Sequence, residues 1–295
     1  MRKTTRLKQL IEADDLLVMP GVHDALSARI AASEGFQALT LGGYAASGVL
    51  LGEPDSSQLS LRELADHYAR VCEAVELPVF ADGDTGFGNV TNVARTVREL
   101  ERAGVAGLFI EDQVFPKRCG HTPDKEVIGL EEMIGKLKSA LDSRHDPDLV
   151  IMGRTDALAV HGLDAAIERA RKFAEIGCDL VFVEAPATVE DMKRICGSVE
   201  APQLANMIDF GKTPALDAKE LESLGYATAV WPVASVFAVT KQMQRLYRTI
   251  AETGSTKTFA GEMVSFDDYM KVVGLPELRA REQSLLDFAK DHGKS

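Results

Sequence analysis

Leu163-Asp-Ala-Ala-Ile-Glu-Arg-Ala-Arg-Lys-Phe-Ala-Glu-Ile-Gly177-Cys-Asp-Leu180-Val-Phe-Val-Glu184 contains one whole building unit of this chain. Leu163, Ala166, Ile167, Ala170, Phe173 and Ala174 recur at spacings of three and four, opposite Glu168, Arg169, Arg171 and Lys172, which predicts an amphipathic helix with one buried stripe. Gly177 permits the left-handed turn that closes such a helix. Leu180 to Val183 then form a short apolar strand, and Glu184 stands at its end.

The same grammar recurs. Ala31-Ala-Ser-Glu-Gly35 precedes Ala38-Leu-Thr-Leu, Leu100-Glu-Arg-Ala-Gly104 precedes Gly107-Leu-Phe-Ile, and Leu221-Glu-Ser-Leu-Gly225 precedes Ala227-Thr-Ala-Val. Helix starts are marked by Ser60 with Glu63, Thr188 with Asp191 and Asp217 with Glu220, which have capping-box spacing. Short, nearly all-apolar strands fall at 16–20, 38–42, 78–82, 107–111, 149–153, 180–184, 203–207 and 227–231. Continuous apolar runs fit a parallel sheet covered on both faces. Eight such strands at roughly 30 residues per unit predict an α/β protein of the (β/α)₈ TIM-barrel class. The expected organisation is a single barrel domain over 1–295, with 255–295 as a C-terminal helical extension whose segments, including Leu285, Leu286 and Phe288, pack outside the barrel or on another subunit.

The 295 residues, 45% apolar and 26% charged, suffice for a sizeable core and exclude disordered and fibrous classes. A formal charge of −12 opposes attraction to nucleic acid and to anionic membranes, so neither partner is expected. Cys72, Cys119, Cys178 and Cys196 lack paired metal or redox spacing, which points to a reducing compartment. The start, Met1-Arg-Lys-Thr-Thr-Arg-Leu-Lys8, shows no signal-peptide core, and the expected location is cytoplasmic.

Barrel sites lie at the carboxyl ends of the strands. There the sequence places Gly42-Gly-Tyr44, Asp82-Gly-Asp84, Glu111-Asp112, Arg154-Thr-Asp156, Glu184 and Asn206. Asp82 and Asp84 offer too few ligands for a calcium cage but suit Mg²⁺, which keeps several waters that Asp55 and Glu111 could anchor. In Pro116-Lys-Arg-Cys119-Gly-His121, Lys117, Arg118 and His121 flank one thiol with positive charge, favouring the thiolate and a proton-transfer role for Cys119. Arg154 would be costly to bury without an anion; its mate is a substrate carboxylate or an internal Glu184 or Asp156. Asn206 either fixes a polar end of a ligand or caps a strand. The remaining histidines, His23, His67, His145, His161 and His292, have no ligand spacing and are expected at the surface.

From Leu16 to the C-terminal helices the chain resembles the isocitrate lyase/phosphoenolpyruvate mutase superfamily. Lys117-Arg-Cys-Gly-His121 looks like that family's lyase signature. Gly52-Glu-Pro-Asp55, Asp82-Gly-Asp84, Glu111-Asp-Gln113, Gly153-Arg-Thr-Asp156, Val183-Glu-Ala185 and Asn206-Met-Ile208 follow in the expected order. The resemblance implies Mg²⁺, with Mn²⁺ able to substitute, held by Asp82 and Asp84 with Asp55 and Glu111 behind. It implies Cys119 as proton donor on a gating loop, Tyr44 as a candidate base, and a substrate lined by Gly42, Gly43, Tyr44, Gly120, His121, Arg154, Glu184 and Asn206. The implied reaction is retro-aldol cleavage of a 2-hydroxy di- or tricarboxylate to an α-keto acid and a carboxylic acid. Alternatives on the same scaffold are a phosphorus–carbon mutase, an oxaloacetate hydrolase or a binding-only barrel. The implied assembly is a homotetramer with exchanged terminal helices. Two positions depart from methylisocitrate lyases: Gly42 stands where serine is usual, and Phe237 where an arginine binds substrate carboxylate. That pattern resembles the dimethylmalate lyase, petal-death protein and carboxyphosphonoenolpyruvate mutase branch, and favours a smaller, alkylated malate.

Overall fold

The computed structural model describes residues 1–120 and 124–293. After α1 (Lys3–Ile11) come eight strands: β1 (Leu17–Pro20), β2 (Leu39–Leu41), β3 (Val79–Asp82), β4 (Gly107–Glu111), β5 (Val150–Thr155), β6 (Leu180–Val183), β7 (Leu204–Asn206) and β8 (Thr228–Trp231). Between them run α2 (Ala25–Ser33), α3 (Gly43–Leu51), α4 (Leu61–Ala74), α5 (Val90–Arg102), α6 (Leu130–Ser143), α7 (Ala157–His161), α8 (Leu163–Glu175), α9 (Val189–Cys196) and α10 (Ala218–Leu224). Three helices follow the last strand: α11 (Ala234–Thr253), α12 (Phe266–Val272) and α13 (Leu275–His292).

All pairings are parallel. β2 to β6 form one run in sequence order and β7, β8 and β1 a second. Bridges from Gly21 to Thr40 and from Val181 to Gln203 join the two runs, so the sheet closes into the expected barrel. Its inside is filled by Met19, Phe80, Val150, Met152, Leu180, Phe182, Leu204 and Val230, and Leu7 and Ile11 of α1 join this cluster. The larger core lies between the sheet and the helices.

The local signals act as their chemistry dictates. Gly35, Gly104, Gly177 and Gly225 all have positive φ, between 87° and 98°. Ser60 and Asp217 make full capping boxes, and Thr188 accepts from the Asp191 N–H. One expectation fails: His67 is buried, with Nε2 3.0 Å from the His23 carbonyl oxygen, because the apolar face of α4 carries it inward.

By compactness the chain divides into Met1–Phe237 and Ala238–Ser295, and α11 runs from the first unit into the second. Within the second unit Arg245 pairs with Glu262 and stacks over the Phe259 ring. No helix of the described residues is long and apolar enough to cross a membrane.

Candidate active site

The strand ends of the first unit surround a cavity of about 530 Å³ lined by Tyr44, Asp55, Asp82, Lys117, Cys119, Gly120, Arg154, Glu184, Asn206 and Phe237, among others. Two charge clusters organise it.

The first is acidic. Asp82 ends β3 and accepts from the Gly43 N–H at 2.9 Å and the Asp84 N–H at 2.7 Å. A Cβ on Gly43 would lie 2.9 Å from Asp82 Oδ2, so glycine lets the α3 start approach the carboxylate. Asp84 sits at φ 53°, a conformation that a non-glycine residue holds only where its surroundings impose it. The ammonium of Lys117 lies 2.7 Å from Asp55 Oδ2, 3.8 Å from Asp84 Oδ2 and 4.0 Å from Asp82 Oδ2. Burial opposes its charge, but Asp82, Glu111, Asp84 and Asp55 raise its pKa well above the ordinary lysine value. Glu111, fully buried at the end of β4, has no hydrogen bond to either carboxylate oxygen among the described residues, and burial pushes its pKa far up despite Arg154 and Lys117. Burial also raises the pKa of Asp84.

The second cluster is centred on Arg154 at the end of β5. Its guanidinium meets Glu111 at 3.1 Å, Asp156 at 2.9 Å and Glu184 at 2.9 Å. It also lies over two aromatic rings, 5.5 Å from the Phe109 centroid and 5.3 Å from that of Phe182. Burial alone would discharge it, but Asp156, Glu111 and Glu184 hold it charged. Both internal mates considered from sequence are therefore present, and a third joins them. Asn206 Nδ2 is 3.3 Å from Glu184 Oε2, while its own Oδ1 is buried without a hydrogen bond among the described residues. Among the described residues that oxygen meets no donor, and it suits a ligand hydroxyl.

Gly42 caps α3 and Tyr44 lies in its first turn, with its ring edge-on to Phe237 at 6.2 Å between centroids. Burial, then the nearby Cys119 and Asp55, raise the Tyr44 pKa, so the phenol keeps its proton at neutral pH. Cys119 is half-buried and lines the cavity. His121 lies outside the described residues. Of the cations expected around the thiol, Lys117 serves the carboxylates and Arg118 is exposed, with its peptide N–H donating to Gln113 Oε1 and its carbonyl accepting from Gln113 Nε2. Among the described residues no three carboxylates, histidines or cysteines converge with metal-ligand geometry as they stand. The Lys117 ammonium occupies the middle of the acidic group.

Sequence reasoning missed the supporting layer. Arg169, assigned from periodicity to the solvent face of its helix, is buried and pairs with Asp112 at 2.8 Å. Asp112 also accepts from Thr155 Oγ1 and the Asp156 N–H. Lys125 is buried on Asp156. The adjacent acids Glu111-Asp112 were the only available signal: of two neighbours at a strand end, one faces the barrel mouth and the other faces its outer helices.

The model of the phosphoenolpyruvate phosphomutase family matches residues 7–251. The chain is 41% identical to 2,3-dimethylmalate lyase of Eubacterium barkeri over 284 residues, covering 96% of this chain and 98% of the relative. It is 40% identical to 2-methylisocitrate lyase of Aeropyrum pernix over 285 residues, covering 97% and 92%. The crystal structure of a 2,3-dimethylmalate lyase, a member of the PEP mutase/isocitrate lyase superfamily, superposes with a TM-score of 0.90 at 30% identity, covering 96% of each chain. A barrel with this strand-end chemistry, matched along nearly its whole length, belongs to the phosphoenolpyruvate phosphomutase family, and is an enzyme of its carbon–carbon lyase kind.

Proposed function

We propose that this enzyme cleaves an alkyl-substituted malate, a 2-hydroxy dicarboxylate, to an α-keto acid and a carboxylic acid. The observation that carries the reading is the composition of the cavity wall. Its basic side chains among the described residues are Lys117 and Arg154, and Lys117 is already committed to the acidic cluster. Arg154, although its guanidinium already meets Glu111, Asp156 and Glu184, is therefore the basic group of this wall left to face one substrate carboxylate, while Phe237, Val233, Ile208, Leu204 and Pro54 give an apolar wall. Among the described residues a third carboxylate finds no partner there; alkyl groups do.

Asp55, Asp82, Asp84 and Glu111 offer hard oxygen donors in excess of the local cations, and the Glu111 carboxylate oxygens accept no hydrogen bond among the described residues. That donor set fits Mg²⁺ or Mn²⁺, held at Asp82 and Asp84 with Asp55 and Glu111 behind, once Lys117 withdraws from their midst. When bound, the ion supplies Lewis-acid stabilisation of the oxygens of the carbinol end of the substrate.

This chain's residues do the rest. Arg154, fixed by three carboxylates and two rings, orients the second carboxylate. Asn206 Oδ1 accepts from a substrate hydroxyl, and Tyr44, holding its proton, donates a hydrogen bond. As the carbinol oxygen gives its proton to a carboxylate of the Asp55, Asp82, Asp84 and Glu111 group and becomes a carbonyl, the C–C bond breaks and its electron pair passes to the departing enolate. The Cys119 S–H then protonates the enolate carbon, giving the carboxylic acid. The test is release of pyruvate or glyoxylate from malate, 2,3-dimethylmalate, 2-methylisocitrate, isocitrate and oxaloacetate with Mg²⁺. Highest kcat/KM on an alkylmalate supports the reading. Preference for a tricarboxylate or for oxaloacetate overturns it.

A further inference from the structure

The residue that links the thiol segment to the Arg154 cluster lies outside the strand ends altogether. Lys125 follows the lyase signature, and its side chain is 2% exposed. Its ammonium donates to two acceptors: Asp156 Oδ1 at 2.7 Å and the backbone carbonyl of Gly120. Asp156 in turn accepts from Arg154 Nε at 2.9 Å. Gly120 rests directly on the same guanidinium, for a Cβ there would lie 2.5 Å from Arg154 Nη2 and 2.7 Å from Glu184 Oε2. Glycine is thus required by close approach, and the approach is held by Lys125. Cys119 precedes Gly120 in the chain, so the peptide that fixes the thiol is secured through one buried lysine.

We infer that Lys125 is a positioning residue for Cys119: its ammonium pins the Gly120 carbonyl onto the Asp156–Arg154 pair and thereby sets the thiol over the cavity. The inference rests on the proposed proton-donor role of Cys119 only for its effect on turnover, not for the geometry. A lysine kept merely to neutralise Asp156 would leave the thiol's accessibility unchanged when removed. A lysine that pins Gly120 would not.

The probe is iodoacetamide, with the modified peptide identified by mass spectrometry. Cys72 and Cys178 are buried, and burial pushes the half-buried Cys196 thiol up to about 12, so the three react slowly and are resolved from Cys119. In Lys125→Met the loss of a charged hydrogen bond should raise the alkylation rate of Cys119 by about tenfold, and kcat should fall at least as far with a smaller change in KM. Gly120→Ala, which keeps Lys125 and Asp156 but blocks the close approach, should show the same increase in alkylation; it also serves if Lys125→Met does not fold. Unchanged alkylation in the folded Lys125→Met variant, or in Gly120→Ala, overturns the inference. Faster alkylation with normal kcat supports the positioning and removes Cys119 from the proposed chemistry.

Discussion

Replacing Phe237 by arginine should move the substrate preference from dicarboxylate to tricarboxylate. In the structure the Phe237 ring meets Tyr44 edge-on at 6.2 Å, a pair contributing about 1 kcal/mol beyond its buried area. Its loss should lower kcat/KM for an alkylmalate by roughly fivefold. The gain on the other side is larger. Among the described residues a third carboxylate entering the wild-type cavity meets apolar wall, since Lys117 is held by the acidic cluster and Arg154 by its carboxylates and the substrate's second one, and an unpaired charge in such a site costs about 3–5 kcal/mol. The cavity is partly open to solvent, so the lower end applies, about 3 kcal/mol or roughly 150-fold. Phe237→Arg supplies the missing partner. The ratio of kcat/KM for 2-methylisocitrate to that for 2,3-dimethylmalate should therefore rise by several hundredfold, on the order of the product of the two effects. Both substrates release an α-keto acid, so one coupled dehydrogenase assay reads both. A ratio changed by less than about fivefold, in a variant with normal melting and alkylmalate turnover within tenfold of wild type, would refute the argument that this wall selects against the third carboxylate.

Cys119→Ser keeps the shape but replaces the thiol by a far weaker acid, so kcat should fall at least about a hundredfold with the dissociation constant of a dicarboxylate inhibitor changed less than about tenfold; near-normal kcat would make the thiol a bystander. Asp84→Ala should abolish turnover and weaken Mg²⁺ binding in calorimetry while the far-ultraviolet spectrum stays native, and full activity in chelator would sink the metal assignment. Lys117→Met removes the ammonium that stands among Asp55, Asp82 and Asp84; Mg²⁺ should bind at least about tenfold more tightly and raise the melting temperature more than in wild type, and weaker binding would show that Lys117 supports the ion instead of competing with it. Exposed Leu285, Leu286 and Phe288 on α13 call for a partner, and we propose a homotetramer, so light scattering at micromolar concentration should give about four times 32.0 kDa; a monomeric mass rejects it.

The barrel was legible because its strands are buried on both faces, which writes each as an unbroken apolar run, and because positive-φ glycines mark the helix ends in letters that nothing else explains. Every predicted strand forms within two residues of its expected bounds. The strand-end residues were legible for a second reason: in a barrel, a polar residue after an apolar run has one place to go. What sequence could not give was pairing across strands. Periodicity assigns every charged residue of a helix to solvent, yet Arg169 is long enough to turn inward and reach Asp112. Lys117 and Lys125 lie in a segment without repeating pattern, where only the folded path decides which carboxylate each lysine meets. His67 was misread because a neutral imidazole can be buried with a single backbone partner.

The two ends of the barrel now differ for one physical reason. At the N-terminal end of the strands, Asp179 is answered by both Lys8 and Arg144 and also accepts the Ile151 N–H, so charge there is balanced and serves stability. At the mouth, Asp55, Asp82, Asp84, Glu111, Asp156 and Glu184 are answered, among the described residues, by Lys117, Lys125 and Arg154. Carboxylates outnumber cations in this buried region, and burial raises the pKa values of Glu111 and Asp84 against the pull of Lys117. A fold under selection for stability alone would replace such residues with apolar ones at little loss. Their presence at the mouth, against the charge-paired Asp179 at the opposite end, supports the proposal that a metal ion binds there. In the proposed reaction the acidic cluster and the Asn206 Oδ1, which has no hydrogen-bond partner among the described residues, form one half of an interaction whose other half is the ion and the substrate.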